Sequence, residues 1–127
     1  MSATTTVPLV PDDAEVGAPV GLLAGTCAAC GRTDVPRRDV CAACGGAVDP
    51  VTLATTAVLS GSTAVLHQPP GSAVEAPYAL GVARFPEGLC VMGLLLAEVD
   101  SPPPLGTPVA VVAHQVDQTT TYAFRPL

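Results

Sequence analysis

The chain has no lysine, and its 127 residues carry five arginines against eleven acidic side chains, for a formal net charge of −6. Binding to a nucleic-acid backbone requires several clustered cations. Five arginines cannot supply such clusters over a broad surface, so the composition argues against nucleic acid as a partner.

Large aromatic side chains and long apolar runs are also scarce. Two Tyr, two Phe and no Trp are present, so Val, Leu and Ala must fill the core. The longest apolar run, GLCVMGLLLA at residues 88–97, is about half the ~20 residues that a membrane helix needs. The start, MSATTTVPLV, lacks the features of a targeting segment. We therefore expect a cytoplasmic protein, in which thiols stay reduced.

Four of the five cysteines form two C-x2-C motifs, Cys27 with Cys30 and Cys41 with Cys44. An odd number of cysteines disfavours a disulfide framework. Two such motifs joined by a short loop place four thiolates around one point, and tetrahedral zinc binds four thiolates at ~2.3 Å each. The motifs therefore predict a structural zinc site.

Alternatives to zinc remain at this stage. Four thiolates leave no open position for a catalytic zinc, but the same sulfurs could hold iron. A thioredoxin-type redox pair would need a βαβ context, and none is present. Cys90 lies in the apolar run and is predicted to be a buried core thiol. Between the motifs, Arg37 and Arg38 either offset the negative metal centre or contact the anion of a phosphorylated ligand.

After the cysteines the pattern becomes one of short strands. Alternating apolar residues bounded by Gly and Pro predict strands, with a break at the SGS of residues 60–62. The predicted strands are Val51–Leu59, Thr63–His67, Tyr78–Phe85, Leu89–Leu96, Val109–Val116 and Thr119–Pro126.

These elements predict a mostly β protein, with a rubredoxin-like zinc ribbon followed by a small antiparallel OB-type barrel. We assign residues 1–20 to a flexible N-terminal arm, residues 21–50 to the ribbon and residues 51–127 to the barrel. Gly81 and Gly93 lie inside strands, where they would allow sharp bends.

The order of these features resembles a zinc-ribbon and OB-fold family, domain of unknown function thirty-five. The segments that carry the resemblance are LLAGTCAACG, VPRRDVCAACG, VLHQPP, PYALGVARFPEG and LGTPVAVVAHQVDQTTTYAFRPL. It covers roughly residues 20–127.

The resemblance implies an accessory subunit rather than an independent catalyst. Members of this family occur beside thiolase-superfamily enzymes. These are thiolases, ketosynthase-type acyltransferases, enzymes of hydroxymethylglutaryl-CoA synthesis and retro-aldolases that shorten steroid side chains. The implied partner is such an enzyme, with acyl-CoA shared between the subunits, in lipid or polyketide metabolism.

No catalytic set of nucleophile, base and orienting group emerges from the sequence. His67 ends a predicted strand and is either a hydrogen-bonding residue or a ligand or interface contact, and His114 is expected to be structural. A free-standing CoA-binding module is the alternative function, with Arg37, Arg38, Arg84 and His67 as candidate ligand contacts. Single-stranded nucleic-acid binding would need basic grooves and stacking aromatics.

The charge balance gives a first testable expectation. A fluorescence titration with single-stranded DNA at low salt should show no saturable binding, because backbone contacts need clustered cations. Tight binding in that titration would contradict the interpretation of the composition.

Overall fold

Eight strands make up the part of the chain that the structure describes. The structure, a computed structural model, describes residues 9–71 and 74–127; the first eight residues of the predicted arm, with Ser72 and Ala73, lie outside the described residues. The strands are β1 (Leu23–Cys27), β2 (Thr33–Asp34), β3 (Val48–Thr52), β4 (Thr56–Val65), β5 (Tyr78–Arg84), β6 (Cys90–Leu95), β7 (Pro108–Val116) and β8 (Thr119–Pro126).

The ribbon is a three-stranded antiparallel sheet in the order β2-β1-β3. The central strand β1 pairs along its whole length with β3, from Leu23 opposite Thr52 to Cys27 opposite Val48. Its last residue is the first cysteine, so the strand delivers that thiol to the end of the sheet.

The barrel closes in the order β4-β5-β6-β8-β7, with β7 paired back onto β4. Four of its contacts are antiparallel. The β6–β8 contact is parallel and consists of two residue pairs, Leu94 with Ala123 and Leu95 with Phe124. The mostly β fold with a small OB-type barrel is confirmed, and the last four predicted strands match β5–β8 within one residue at each end.

The first two predicted strands of the barrel are wrong in their limits. The segment predicted as one strand, residues 51–59, contributes its start to β3 in the ribbon and its end to β4 in the barrel. The predicted break at residues 60–62 is absent, because β4 continues through it with an irregularity between Leu59 and Gly61. A β-bulge places an extra residue in one strand of a pair, so the strand continues past the glycine.

The buried rings of Phe85 and Phe124 pack together with the partly buried ring of Tyr122. Phe124 is fully buried, and its ring centroid lies 6.3 Å from that of Phe85 and 5.8 Å from that of Tyr122. A Cβ on Gly93 would lie 2.5 Å from the Tyr122 ring and 3.1 Å from the Phe124 ring. The absence of a side chain at Gly93 therefore leaves space for the rings beside β6.

Residues 9–20, predicted as part of a flexible arm, lie against β7 instead. The Gly17 N–H donates to the Ala113 carbonyl at 2.7 Å, and the Val20 N–H donates to the Val111 carbonyl at 2.8 Å. Val10 and Val20 are buried in the main core. These backbone bonds and two buried side chains offset the entropy of ordering this segment.

The ribbon and barrel share one core at their junction. Leu22 and Leu53 are both buried. The Leu53 N–H donates to the Leu22 carbonyl at 2.9 Å. The next amide, Ala54 N–H, donates to the Glu87 carboxylate in the β5–β6 turn at 3.0 Å. The junction is therefore held by both apolar contact and hydrogen bonds.

Across residues 9–71 and 74–127, no helix has the length and apolar character needed to cross a membrane.

Replacing Gly93 with alanine should destabilise the barrel. The added Cβ would overlap the Tyr122 and Phe124 rings, and overpacking a core costs about 1–3 kcal/mol. Chemical denaturation of Gly93→Ala should show that loss in the free energy of unfolding.

Gly61→Ala is the matched control, because its Cβ would meet its nearest neighbour, Val82, at 3.8 Å. It should leave the free energy of unfolding unchanged or raise it by less than ~1 kcal/mol. Equal stability of the two variants would contradict the packing argument.

Candidate metal centre

The structure brings the four cysteines of the two motifs to one point. The sulfur atoms of Cys27, Cys30, Cys41 and Cys44 all lie within 4.8 Å of one another. The Cys27 and Cys44 sulfurs are 3.5 Å apart, and the Cys30 and Cys41 sulfurs are 3.7 Å apart. Each pair joins one sulfur from the first motif with one from the second.

The two motifs fold in the same way. The Gly31 N–H donates to the Cys27 carbonyl, and the Gly45 N–H donates to the Cys41 carbonyl, both at 2.9 Å. Gly31 and Gly45 have φ values of +80° and +78°, a region in which glycine is not strained. A glycine after each motif thus closes the turn that points both sulfurs the same way.

The distances between sulfurs fit a tetrahedral ion. Zinc–sulfur bonds of ~2.3 Å place tetrahedral ligands about 3.8 Å apart, close to the spacing within both pairs. A disulfide would need ~2.0 Å, and all five cysteines are free thiols. The donor set therefore fits a structural Zn²⁺ held by four thiolates.

Backbone amides act on the charge of these sulfurs. The Cys30 N–H bonds the Cys27 sulfur and lowers the pKa of Cys27 to about 6, and the Cys44 N–H lowers the pKa of Cys41. The Gly46 N–H acts to lower the pKa of Cys44, but contacts with the Cys27 and Cys30 thiols raise it, to about 12. A bound cation removes this conflict, because it holds all four groups as thiolates.

One side of the sulfur cluster is closed by backbone. Cys27 and Cys41 are buried, whereas Cys30 and Cys44 are exposed. A Cβ on Gly46 would lie 3.1 Å from the Cys27 sulfur and 3.4 Å from the Cys44 sulfur. Gly46 therefore lets the chain pass against the sulfurs.

The arginines near the ribbon differ in their contacts. Arg37 is half-buried, and its guanidinium donates to the Ala24 carbonyl at 2.8 Å and to the Val51 carbonyl at 3.4 Å. Arg38 is exposed and forms no hydrogen bond or ion pair with the described residues. Arg37 thus ties its loop to β1 and β3, which leaves Arg38 as the freer cation of this pair.

The other proposed ligand contacts lie on the barrel. Arg84 ends β5 opposite Val58, whereas exposed His67 follows the far end of β4, where Val65 pairs with Tyr78. Six residues of strand separate these ends, about 20 Å at ~3.3 Å per residue. Arg84 and His67 therefore cannot hold the same phosphate. His114 is half-buried in β7, opposite Thr121.

Cys90 is exposed, contrary to the prediction of a buried core thiol. It begins β6, in which Val91 and Leu95 face the main core. Successive strand residues point to opposite faces, so Cys90 points away from that core, on the same side as Met92. The apolar run concealed this alternation because both of its faces are apolar.

Comparison with known proteins agrees with the fold and the cysteine cluster. The family model "ChsH2, rubredoxin-like zinc ribbon domain" matches residues 18–49, and "ChsH2, C-terminal OB-fold domain" matches residues 50–114. The chain belongs to the ChsH2 zinc-ribbon and OB-fold family. A family that carries a zinc ribbon, together with four converging thiols, supports structural Zn²⁺ in this chain.

Two solved structures extend the comparison. The chain is similar to one described as "Ltp2-ChsH2(DUF35) aldolase", with 28% identity, a TM-score of 0.68 and 84% of both chains covered. A DUF35 family protein of unknown function from Sulfolobus solfataricus shares the fold at 18% identity and a TM-score of 0.57, over 84% of this chain and 76% of that one. The resemblance to this family is thereby confirmed. The search of curated proteins gives no match.

Removing one thiol ligand should release the metal. We expect about one zinc per wild-type chain, and loss of most of it in Cys44→Ser after dialysis, since three thiolates hold the ion less tightly. Metal analysis by mass spectrometry with far-ultraviolet circular dichroism checks both the ion and the fold.

Cys90→Ser is the matched control, because it alters another exposed thiol outside the cluster. It should keep its zinc. Iron in the wild-type protein, or equal zinc in both variants, would contradict the assignment.

Proposed function

We propose that this chain is a non-catalytic accessory subunit that binds a thiolase-superfamily enzyme of the thiolase, acyltransferase or retro-aldolase type and supports its acyl-CoA chemistry. The observation that carries the proposal is the similarity to the solved "Ltp2-ChsH2(DUF35) aldolase", at 28% identity over 84% of both chains. That description names a ChsH2 protein together with a second component in an aldolase.

The metal centre supports a structural role for the ion. Four thiolates complete a tetrahedral shell and leave no position for water or substrate. In the chain as described, at residues 9–71 and 74–127, His67 and His114 form no hydrogen bond with a nucleophilic side chain. The proposal accordingly leaves the chemistry to the partner.

Proline-rich loops favour docking onto a partner. The segments HQPPGSAVEAP and DSPPPLGTP connect β4 to β5 and β6 to β7. Proline restricts the unbound chain, so less entropy is lost when such a loop becomes ordered in a complex.

Direct CoA binding is a separate outcome that titration can decide. Among the described residues, Arg38 and Arg84 are the arginines that form neither a hydrogen bond nor an ion pair. Arg38 lies on the ribbon loop and Arg84 on the barrel. Isothermal titration with CoA and acetyl-CoA would detect a free-standing ligand module, and saturable heat without any protein partner would favour that function over the accessory role.

A pull-down with the tagged chain from its native extract should recover one predominant partner in stoichiometric amount. Mass spectrometry should identify that partner as a thiolase-superfamily enzyme, and the same sample should contain about one zinc per accessory chain. The tag alone, used as bait, is the control.

The proposal fails if the purified chain and the enzyme recovered with it in the pull-down separate cleanly by gel filtration at micromolar concentration. It also fails if the chain by itself turns over an acyl-CoA substrate at the rate of the complex.

A further inference from the structure

The outer side of strands β5 and β6 is apolar. Leu80 and Val82 alternate with the buried residues of β5, and Met92 and Leu94 alternate with the buried residues of β6. Leu80 pairs with Leu94, and Val82 pairs with Met92. These four side chains form one surface, here called the β5–β6 outer face.

The rest of the described chain covers this surface only in part. Met92 is 59% exposed, and the other three side chains are partly exposed. Leu94 also packs against a small cluster on the outer side of β7 and β8, formed by Ala110, Val112 and Ala123. Contiguous apolar surface of this kind marks interaction sites on proteins.

A single cation stands at one end of the face. Arg84 continues the outward row of β5, between Val58 on β4 and Cys90 on β6. In the described residues, its guanidinium has no hydrogen bond and no ion pair. Eleven acids are present in the chain, yet none of those described pairs with Arg84, so the charge is available to an outside carboxylate.

Two depressions mark the ends of the face. The one beside Arg84 has a volume of about 340 Å³ and includes Phe85, Pro86 and Pro108 in its lining. The other, of about 600 Å³, lies beside Tyr78 and Leu96 and carries the acidic Glu98. The face therefore has a positive end and a negative end, which can fix the orientation of a docked protein.

The chemistry of the surface selects a protein as its occupant. A phosphate backbone would be repelled by the net charge of −6. A small ligand would leave most of the two-strand surface exposed. A protein surface can cover the apolar side chains and, at the same time, offer a carboxylate to Arg84.

We propose that the β5–β6 outer face is the surface that docks the thiolase-type enzyme subunit, which presents apolar side chains to Met92 and Val82 and a carboxylate to Arg84. This inference rests on the proposed function and adds the site of contact. A second copy of this chain is the competing occupant, since a two-fold arrangement could bring Arg84 to Glu98 of the other copy.

The test uses the full chain and the purified enzyme identified in the pull-down. Met92→Glu places a charge in the apolar centre, and Arg84→Glu reverses the charge at its end. Val16→Glu is the matched control, because Val16 is 58% exposed in the segment along β7, outside the face and outside both proline-rich loops. Arg84→Lys keeps the positive charge. Melting temperatures and zinc content establish that each variant is folded.

Titration calorimetry should show at least tenfold weaker binding for Met92→Glu and Arg84→Glu. Val16→Glu should bind within about twofold of the wild type, since exposed substitutions away from an interface change little. Arg84→Lys should lie nearer the wild type than Arg84→Glu.

Three results would overturn the inference. If all folded variants bind the enzyme equally, the face is not the docking surface, although the proposed function stands. If analytical ultracentrifugation shows a wild-type dimer that Met92→Glu converts to monomer, a second copy occupies the face. If the wild type binds no enzyme and stays monomeric, the proposed function fails and the face is simply solvated.

Discussion

The meeting of four sulfur atoms is the constraint on which the ribbon depends. From residue 28 to residue 52, Cys41 is the sole buried residue, so this part of the chain has almost no apolar core. The turns at Gly31 and Gly45 direct the thiols inward, and β1 fixes Cys27 at the end of the sheet. Metal binding then supplies the free energy that apolar burial cannot supply in so short a segment.

The barrel, unlike the ribbon, has an apolar core, but that core contains few large side chains. Phe124 packs against both Phe85 and Tyr122, and small residues such as Ala83 belong to the same core cluster. The rings need the space that glycine leaves on β6. The inner face of β5 likewise carries only small residues, Ala79, Gly81 and Ala83. The larger residues of β5 lie on its outer face.

That distribution connects the fold to the proposed role. Leu80, Val82, Met92 and Leu94 adjoin one another outside the barrel, and Met92 is 59% exposed. The chain thus places apolar surface outside the barrel and leaves Arg84 unpaired at its edge. A subunit that functions in a complex can stabilise such a surface through its partner, which agrees with an accessory role and with a metal used for structure.

Sequence reasoning identified much of this molecule and failed in specific places. The paired C-x2-C motifs predicted the sulfur cluster because the spacing alone limits where four thiols can point. The strands from Tyr78 onward were predicted within a residue, because Gly and Pro bound each alternating segment. The strand through residues 51–59 was misjudged, since a β pattern does not say which sheet a strand joins. Cys90 was misplaced for a similar reason: in a run apolar on both faces, periodicity cannot tell inside from outside.

The sequence by itself thus determined the metal-binding chemistry and the β class, because these follow from the local spacing of cysteines and the alternation of apolar residues. Tertiary structure alone decided that residues 9–20 lie along β7, that Arg37 is tied to the carbonyls of Ala24 and Val51 while Arg84 is free, and that Leu80, Val82, Met92 and Leu94 form one surface. Each of these depends on which strands become neighbours. Residues far apart in the chain meet only through sheet register, and register is set by the packing of the whole core.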